Sequence, residues 1–163
     1  MQFQTLGTEA MRIDASGAVT MPLQPAFSAN KDGTDQSNIA LNAEITITFN
    51  TERFDNNADF GSNAFTAPVT GKYFLSVSAM IKEVDTASNF YVLAIKTSNK
   101  VYRSIIDPNF SADLDYISQT VTVFADMDAG DTAYVFITQI SGTAQSDIDG
   151  NTEYTYFTGH LVC

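Results

Sequence analysis

Residues 71–84 read GKYFLSVSAMIKEV, in which Tyr73, Leu75, Val77, Ala79 and Ile81 alternate with Lys72, Phe74, Ser76, Ser78 and Met80. A period of two sends successive side chains to opposite faces of an extended chain, so this stretch is a long strand with one face buried. Gly71 supplies the break before it. The same alternation continues in both directions. Upstream, AEITITFN (43–50) sets Ile45, Ile47 and Phe49 against Thr46, Thr48 and Asn50, which predicts a half-buried strand. Downstream, NFYVLAIKTSN (89–99) and KVYRSIID (100–107) meet at a Thr-Ser-Asn turn signal and read as a hairpin. DYISQTVTVFADM (115–127) places Val121 and Val123 on one face and ends in the Asp-rich turn DMDAGD, and DTAYVFITQI (131–140) follows at once. SGTAQSDIDGN (141–151) has the composition of an exposed loop, and EYTYFTGHLVC (153–163) is a closing strand. No segment carries a helical period. Short strands rich in Val, Ile, Thr, Tyr and Phe, separated by turn chemistry, predict an all-β sandwich, jelly roll or barrel.

Composition limits the rest. With 163 residues, 44% of them hydrophobic and 12% aromatic, the chain suits one domain with a short appendage. No apolar run approaches the ~18 residues of a membrane span, and Met1 is followed by Gln-Phe-Gln and not by a signal segment, so membrane insertion is not expected. A single Cys, Cys163, rules out an intrachain disulfide framework and is too little for a zinc site. Eight basic against nineteen acidic residues give a net charge of −11, dispersed along the chain. Affinity for nucleic acid depends on Lys and Arg neutralising phosphates, so nucleic acid and anionic membranes are disfavoured partners.

The start of the chain differs from the body. In EAMRIDASGAVTMP (9–22) the apolar residues are too sparse for a core, and Asp14-Ala15-Ser16-Gly17 reads as a tight turn between two short extended pieces. A lone hairpin is marginal in water. Residues 1–23 are therefore expected to be a stem or attachment segment in need of partners, and 24–163 the head domain.

Within FDNNADFGSNAFTAPVTGKYFLSVSAMI (54–81), Phe54, Asp55, Phe60, Phe65, Pro68, Gly71 and Tyr73 stand in an order that resembles the globular heads of complement component one, subcomponent q, whose jelly roll is shared with the tumour necrosis factors. AGDTAYVFI (129–137), with Gly130 and Asp131, is similar to that family's Gly-Asp turn. YFTGHLVC (156–163) is similar to its last strand through Phe157, Gly159 and Leu161, with His160 where a large apolar residue is usual. The resemblance runs from about residue 24 to the end. It implies a ten-strand-type jelly-roll β-sandwich, a homotrimer, and loops at the end far from the termini used for binding. Twelve Phe and seven Tyr agree with burial of rings between subunits. Separately, GTEAMRIDASGAVTMP (7–22) resembles segments that precede terminal domains in phage tail-fibre proteins. Together the two resemblances imply a virion fibre or spike head, joined to other virion proteins through residues 1–23.

Catalysis finds little support: His160 is the only His, and no spacing marks a carboxylate pair or a nucleotide-binding loop. The protein is expected not to be an enzyme and to need no cofactor, calcium being the one ion the residues suggest. Asp147, Asp149 and Asn151 around Gly150 supply alternating oxygen ligands, although Gly150 precedes the third ligand, unlike the twelve-residue calcium loop. For binding, DPNFSADLDY (107–116) offers Phe110 and Tyr116 to stack on sugar rings, and Asp107, Asn109, Asp113 and Asp115 to bond hydroxyls. The expected function is attachment of a virion to a host cell-surface glycan or protein. A structural capsid-decorating or fibre-trimerising role, a secreted complement-q-like binding protein and a glycan depolymerase stay open as alternatives.

Overall fold

The computed structural model describes the backbone of all 163 residues and every side chain except that of Thr5. Strands β1 (Gln2–Thr5), β2 (Thr8–Ile13) and β3 (Val19–Thr20) form a three-stranded antiparallel sheet of their own. The head consists of β4 (Ala26–Asn30), β5 (Ile45–Thr46), β6 (Thr51–Asp55), β7 (Phe60–Gly61), β8 (Ala64–Thr66), β9 (Gly71–Val84), β10 (Phe90–Thr97), β11 (Val101–Ile106), β12 (Leu114–Met127), β13 (Thr132–Ile140), β14 (Asp147–Ile148) and β15 (Tyr156–Leu161). One sheet runs β12-β9-β15-β4-β6, with β14 also on β9, and the other runs β11-β10-β13-β8-β7, with β5 on β13. No helix occurs among the described residues. The architecture is the all-β jelly-roll sandwich that the alternation and the motifs predict.

The core lies between the sheets, because each contributes its alternate residues to one cluster. On β9, Tyr73, Leu75, Val77, Ala79 and Ile81 are all 0% exposed, and they face Leu93, Ile95, Ala133, Val135 and Ile137 of the opposite sheet. At the centre, Phe27 stacks on Phe65 at 4.8 Å and Phe60 at 5.1 Å, with Phe157 edge-on at 5.0 Å, the offset and perpendicular arrangements that ring quadrupoles favour. Gly159 is required here: a Cβ on it would lie 2.6 Å from Leu75 Cδ2 and 2.8 Å from Phe27 Cε1.

The remaining motif residues act locally. Asp55 accepts hydrogen bonds from the backbone N–H of Asp59 at 3.1 Å and Phe60 at 2.8 Å, closing the turn before β7, while Phe54 points outward and is 49% exposed. Tyr73 donates its hydroxyl to Val69 O at 2.7 Å, just past the exposed Pro68. Gly130 takes φ +92 in the turn before β13, where Asp131 Oδ2 accepts from Asp128 N at 2.9 Å and Asn99 Nδ2 at 2.7 Å.

Two stretches differ from their sequence reading. Only Ile45–Thr46 of 43–50 is a strand, although Ile47 and Phe49 are buried as the alternation requires. The reason is that Thr48 N–H donates to Gln36 Oε1 and Phe49 N–H to Asn63 Oδ1, so side chains replace the ladder. Conversely, 141–151 is not simply an exposed loop: β14 pairs with β9, and Ser146 and Ile148 are buried.

Gly71 and Cys163 mark the base of the head, where Lys72 N–H donates to Cys163 O at 2.8 Å. At the opposite end, the apex, Asp85 is 2% exposed. Its carboxylate accepts from the N–H groups of Ala87, Thr143 and Ala144, tying the β9–β10 turn to the loop after β13. Burial alone would raise this carboxyl, yet the backbone donors, Ala144 foremost, bring it below its ordinary 3.8. Thr86 hydrogen bonds likewise hold Asp113 low.

Replacing Gly159 by Ala is expected to destabilise the head by about 1–3 kcal/mol through overpacking, read as a lower urea midpoint. The stability that Asp85 and Asp113 add is fully present above the ordinary pKa of 3.8 and is lost as pH falls through their lowered folded values. Amide exchange of 85–88 and 143–146 should therefore accelerate below that pH before the β9 core amides do. Simultaneous loss of protection in both regions would contradict this role.

Candidate binding surfaces

The apical loop between β11 and β12 carries most of the residues expected to bind. Its base is pinned by buried Pro108 and by Asp113, whose Oδ1 accepts from Thr86 N–H at 2.8 Å and Thr86 Oγ1 at 2.6 Å. Asp113 is thus committed to holding one loop against another. Asp107, Asn109 and Phe110 remain together on the exposed loop, with Phe110 43% exposed. Among the described residues, the side chains of Asp107, Asn109 and Asp115 have no hydrogen-bond partner in the chain. Tyr116, 63% exposed, belongs to a different surface: it pairs with Lys82 across β12 and β9 and lies on the outer sheet face.

The acidic loop near the apex is organised around an ammonium. Lys82 Nζ lies 2.7 Å from Asp35 Oδ2 and 3.6 Å from Asp149 Oδ2. Hydrogen bonding to Asp35 raises the Lys82 pKa, and hydrogen bonding to Lys82 lowers that of Asp35. Asp149 Oδ1 accepts from Asn151 N–H, Asn151 Oδ1 from Glu153 N–H, and Asp147 Oδ1 from Asn38 N–H. The first two are turn-forming bonds and the third ties Asp147 to a distant segment, and among the described residues no group of three or more His, Cys, Asp or Glu is arranged to hold a metal ion.

Two further surfaces were not singled out in the sequence. The outer face of the β12-β9-β15-β4-β6 sheet carries a row in register, Phe124, Phe74, His160 and Ala26. Phe124 is 67% exposed and packs edge-on to Phe74 at 5.6 Å, and the His160 ring lies 5.3 Å from Phe74. This explains how a His occupies a position where a large apolar side chain is usual. The signal was present in the alternation, since Phe74 and Phe124 sit at positions of outward parity among Ser and Thr. Towards the apex the same face has a polar hollow of about 240 Å³ lined by Ser28, Asn30, Arg53, Glu153, Tyr156 and Thr158. Asn30 is 3% exposed; its Nδ2 donates to Thr152 O at 2.7 Å, while its buried Oδ1 accepts no hydrogen bond.

The other surface is the open side of the sandwich. β11 and β12 end their respective sheets, and between them runs a groove of about 460 Å³ lined by Lys100–Ser104 and Thr120–Val123. Lys100 Nζ lies 5.0 Å from the Tyr102 ring centre, and no carboxylate lines the groove. It is a cationic strip on a strongly acidic protein. Gln119 spans the gap to Ser104 at 3.4 Å, leaving its buried Oε1 without a partner.

The model of the C1q domain matches residues 26–162. No protein of curated function matches the chain. Among solved structures, the globular domain of zebrafish complement 1qA is 20% identical, with TM-score 0.59 over 86% of this chain and 98% of that one. Murine APRIL, solved at pH 8.0, is 12% identical, with TM-score 0.59 over 85% of this chain and 99% of its own. These likenesses agree in fold with the two-sheet topology above, and with the domain match covering most of its length the chain belongs to the C1q domain family.

Proposed function

We propose that this chain is the trimeric head of a virion fibre or spike, attaching the particle to a host cell-surface glycan or protein, and that it acts by binding and not by catalysis. What supports this is the division of the molecule into a C1q-domain head and a separate three-stranded sheet over the segment that resembles phage-fibre stems. Trimerisation is supported by two unlike surfaces on one domain. The β11/β12 groove presents Lys100 and Arg103, and the outer face of the other sheet presents the exposed rings of Phe54, Phe124 and Tyr116. A head-to-tail contact between unlike patches closes into a ring when the rotation permits, and a ring of three is what complement-q heads adopt.

Three copies place three apical loops at one end of the ring. Each loop offers Phe110 as a stacking ring and Asp107 with Asn109 as acceptors and donors for hydroxyls. Individually weak sites on one rigid head gain by simultaneous engagement. Residues 1–23 would join the head to other virion proteins, and the site of action would be the virion. Calcium is not required by this reading, because Lys82 already pairs with Asp35 and Asp149, and each of these also accepts a backbone N–H.

Light scattering of the purified chain should give three times the 17.7 kDa chain mass. In a chain shortened to residues 24–163, which should also scatter as three, reversing the groove charge with Lys100→Glu and Arg103→Glu should return the mass to one. For attachment, Phe110→Ala should lower retention on immobilised host surface extract about tenfold while leaving the mass unchanged, as truncation of a binding hot spot does. A trimer that binds no extract, with or without calcium, would remove the attachment role and leave the structural, fibre-trimerising one. Shortened glycan products would revive a depolymerase.

A further inference from the structure

The N-terminal sheet is two-faced. Cross-strand pairing puts Phe3 opposite Met11 and Ile13 opposite Val19, so these four share a face, with Met1 beside Ile13. A register shift between Phe3 and Gln4 then turns Glu9 to the other side, opposite Gln4. There Glu9 meets Gln2 Nε2 and lies 3.5 Å from Arg12 Nε, whose strand partner is Thr20. One face is thus polar and internally paired, and the other carries Phe3, Met11, Ile13 and Val19, with Thr8 at its end beyond the bulge. The apolar face has no cover: Met1 is 78% exposed, Val19 56% and Phe3 46%. Among the described residues no hydrogen bond or ion pair joins residues 1–20 to the head.

We infer that this apolar face is a homotypic interface, at which the N-terminal sheets of three copies pack Phe3, Met11, Ile13 and Val19 against one another as the three walls of a prism. The occupant is a second copy, on three grounds. First, charge distribution separates this segment from the rest. Its charged side chains are Glu9, Arg12 and Asp14, a net of 1 − 2 = −1, which leaves −10 of the total −11 on the head. Self-association is therefore little opposed by charge here, unlike elsewhere on the molecule. Asp14 points to no partner either, since its Oδ1 accepts from Ser16 N–H, Ser16 Oγ and Ala18 N–H within its own turn. Secondly, a three-stranded sheet with one bare apolar face is at the edge of independent stability, and an identical face supplies cover without any further component. Thirdly, the segment enters the head where Pro25 O accepts from Leu161 N–H at 3.0 Å, at the base, so that three heads in a ring deliver three stems in parallel. The stoichiometry of three rests on the trimeric reading of the head, whereas the choice of face does not.

The test uses the full chain carrying Cys163→Ser, with a single cysteine introduced by Met11→Cys on the apolar face or by Thr20→Cys on the polar one. A short bis-maleimide is added to each, and covalent dimer is scored on a denaturing gel. Met11→Cys should cross-link severalfold more than Thr20→Cys, and should still do so when Lys100→Glu and Arg103→Glu have opened the head ring. Equal or absent linking in a chain that scatters as a trimer would overturn the inference, assign the face to another protein, and leave the head reading intact. Preferential linking at Met11 in a chain whose head is monomeric would support the stem interface alone. A chain that is monomeric and does not link would overturn both.

Discussion

The structure depends on the pairing and burial of β9. Its fourteen residues are flanked by β12 on one side and by β15 and β14 on the other, and five alternate side chains along it are shut from water. A one-residue slip would move that whole apolar set to the outer face, so the register of three neighbouring strands follows from the burial of one. The lack of a side chain at Gly159 belongs to the same constraint, because it lets β15 come against Leu75 and Phe27.

Because the inward row of β9 is settled, so is the outward row. Phe74 must face away from the core, and its partners across the sheet, Phe124 and His160, go with it. Six of the nineteen aromatic side chains are exposed, among them Phe54, Phe124 and Tyr116 on this one face. The same domain therefore carries an outer sheet face with exposed rings and, at its free edge, a cationic groove. The N-terminal sheet repeats the logic on a smaller scale, with a bulge sorting polar from apolar side chains.

Several of the carboxylates serve the fold. Asp85 and Asp113 hold apical loops together by accepting backbone N–H groups, and Asp35 and Asp149 share the Lys82 ammonium. Such carboxylates replace the ladder bonds that turns cannot make. Of the residues expected to bind, this leaves Asp107, Asn109 and Phe110 free on the apical loop and Asp115 free near the start of β12. Asp113 has a structural duty, and Tyr116 sits on the sheet.

The sequence by itself determined the fold class, the long strand 71–84 with its inward face, and the hairpin of β10 and β11, because a period of two and a turn signal are local properties of the chain. It also marked Gly159, Phe157 and Tyr73 by their place in a family pattern. It could not show that 43–50 is mostly not a ladder, since that depends on Gln36 and Asn63 reaching over from elsewhere, nor that 146–148 is buried against β9. Only the tertiary structure decided which carboxylates are engaged, brought the free edges of β11 and β12 into one groove, and left Asn30 Oδ1 buried without a donor. Each of these is a contact between residues far apart in the chain, which periodicity and spacing do not encode.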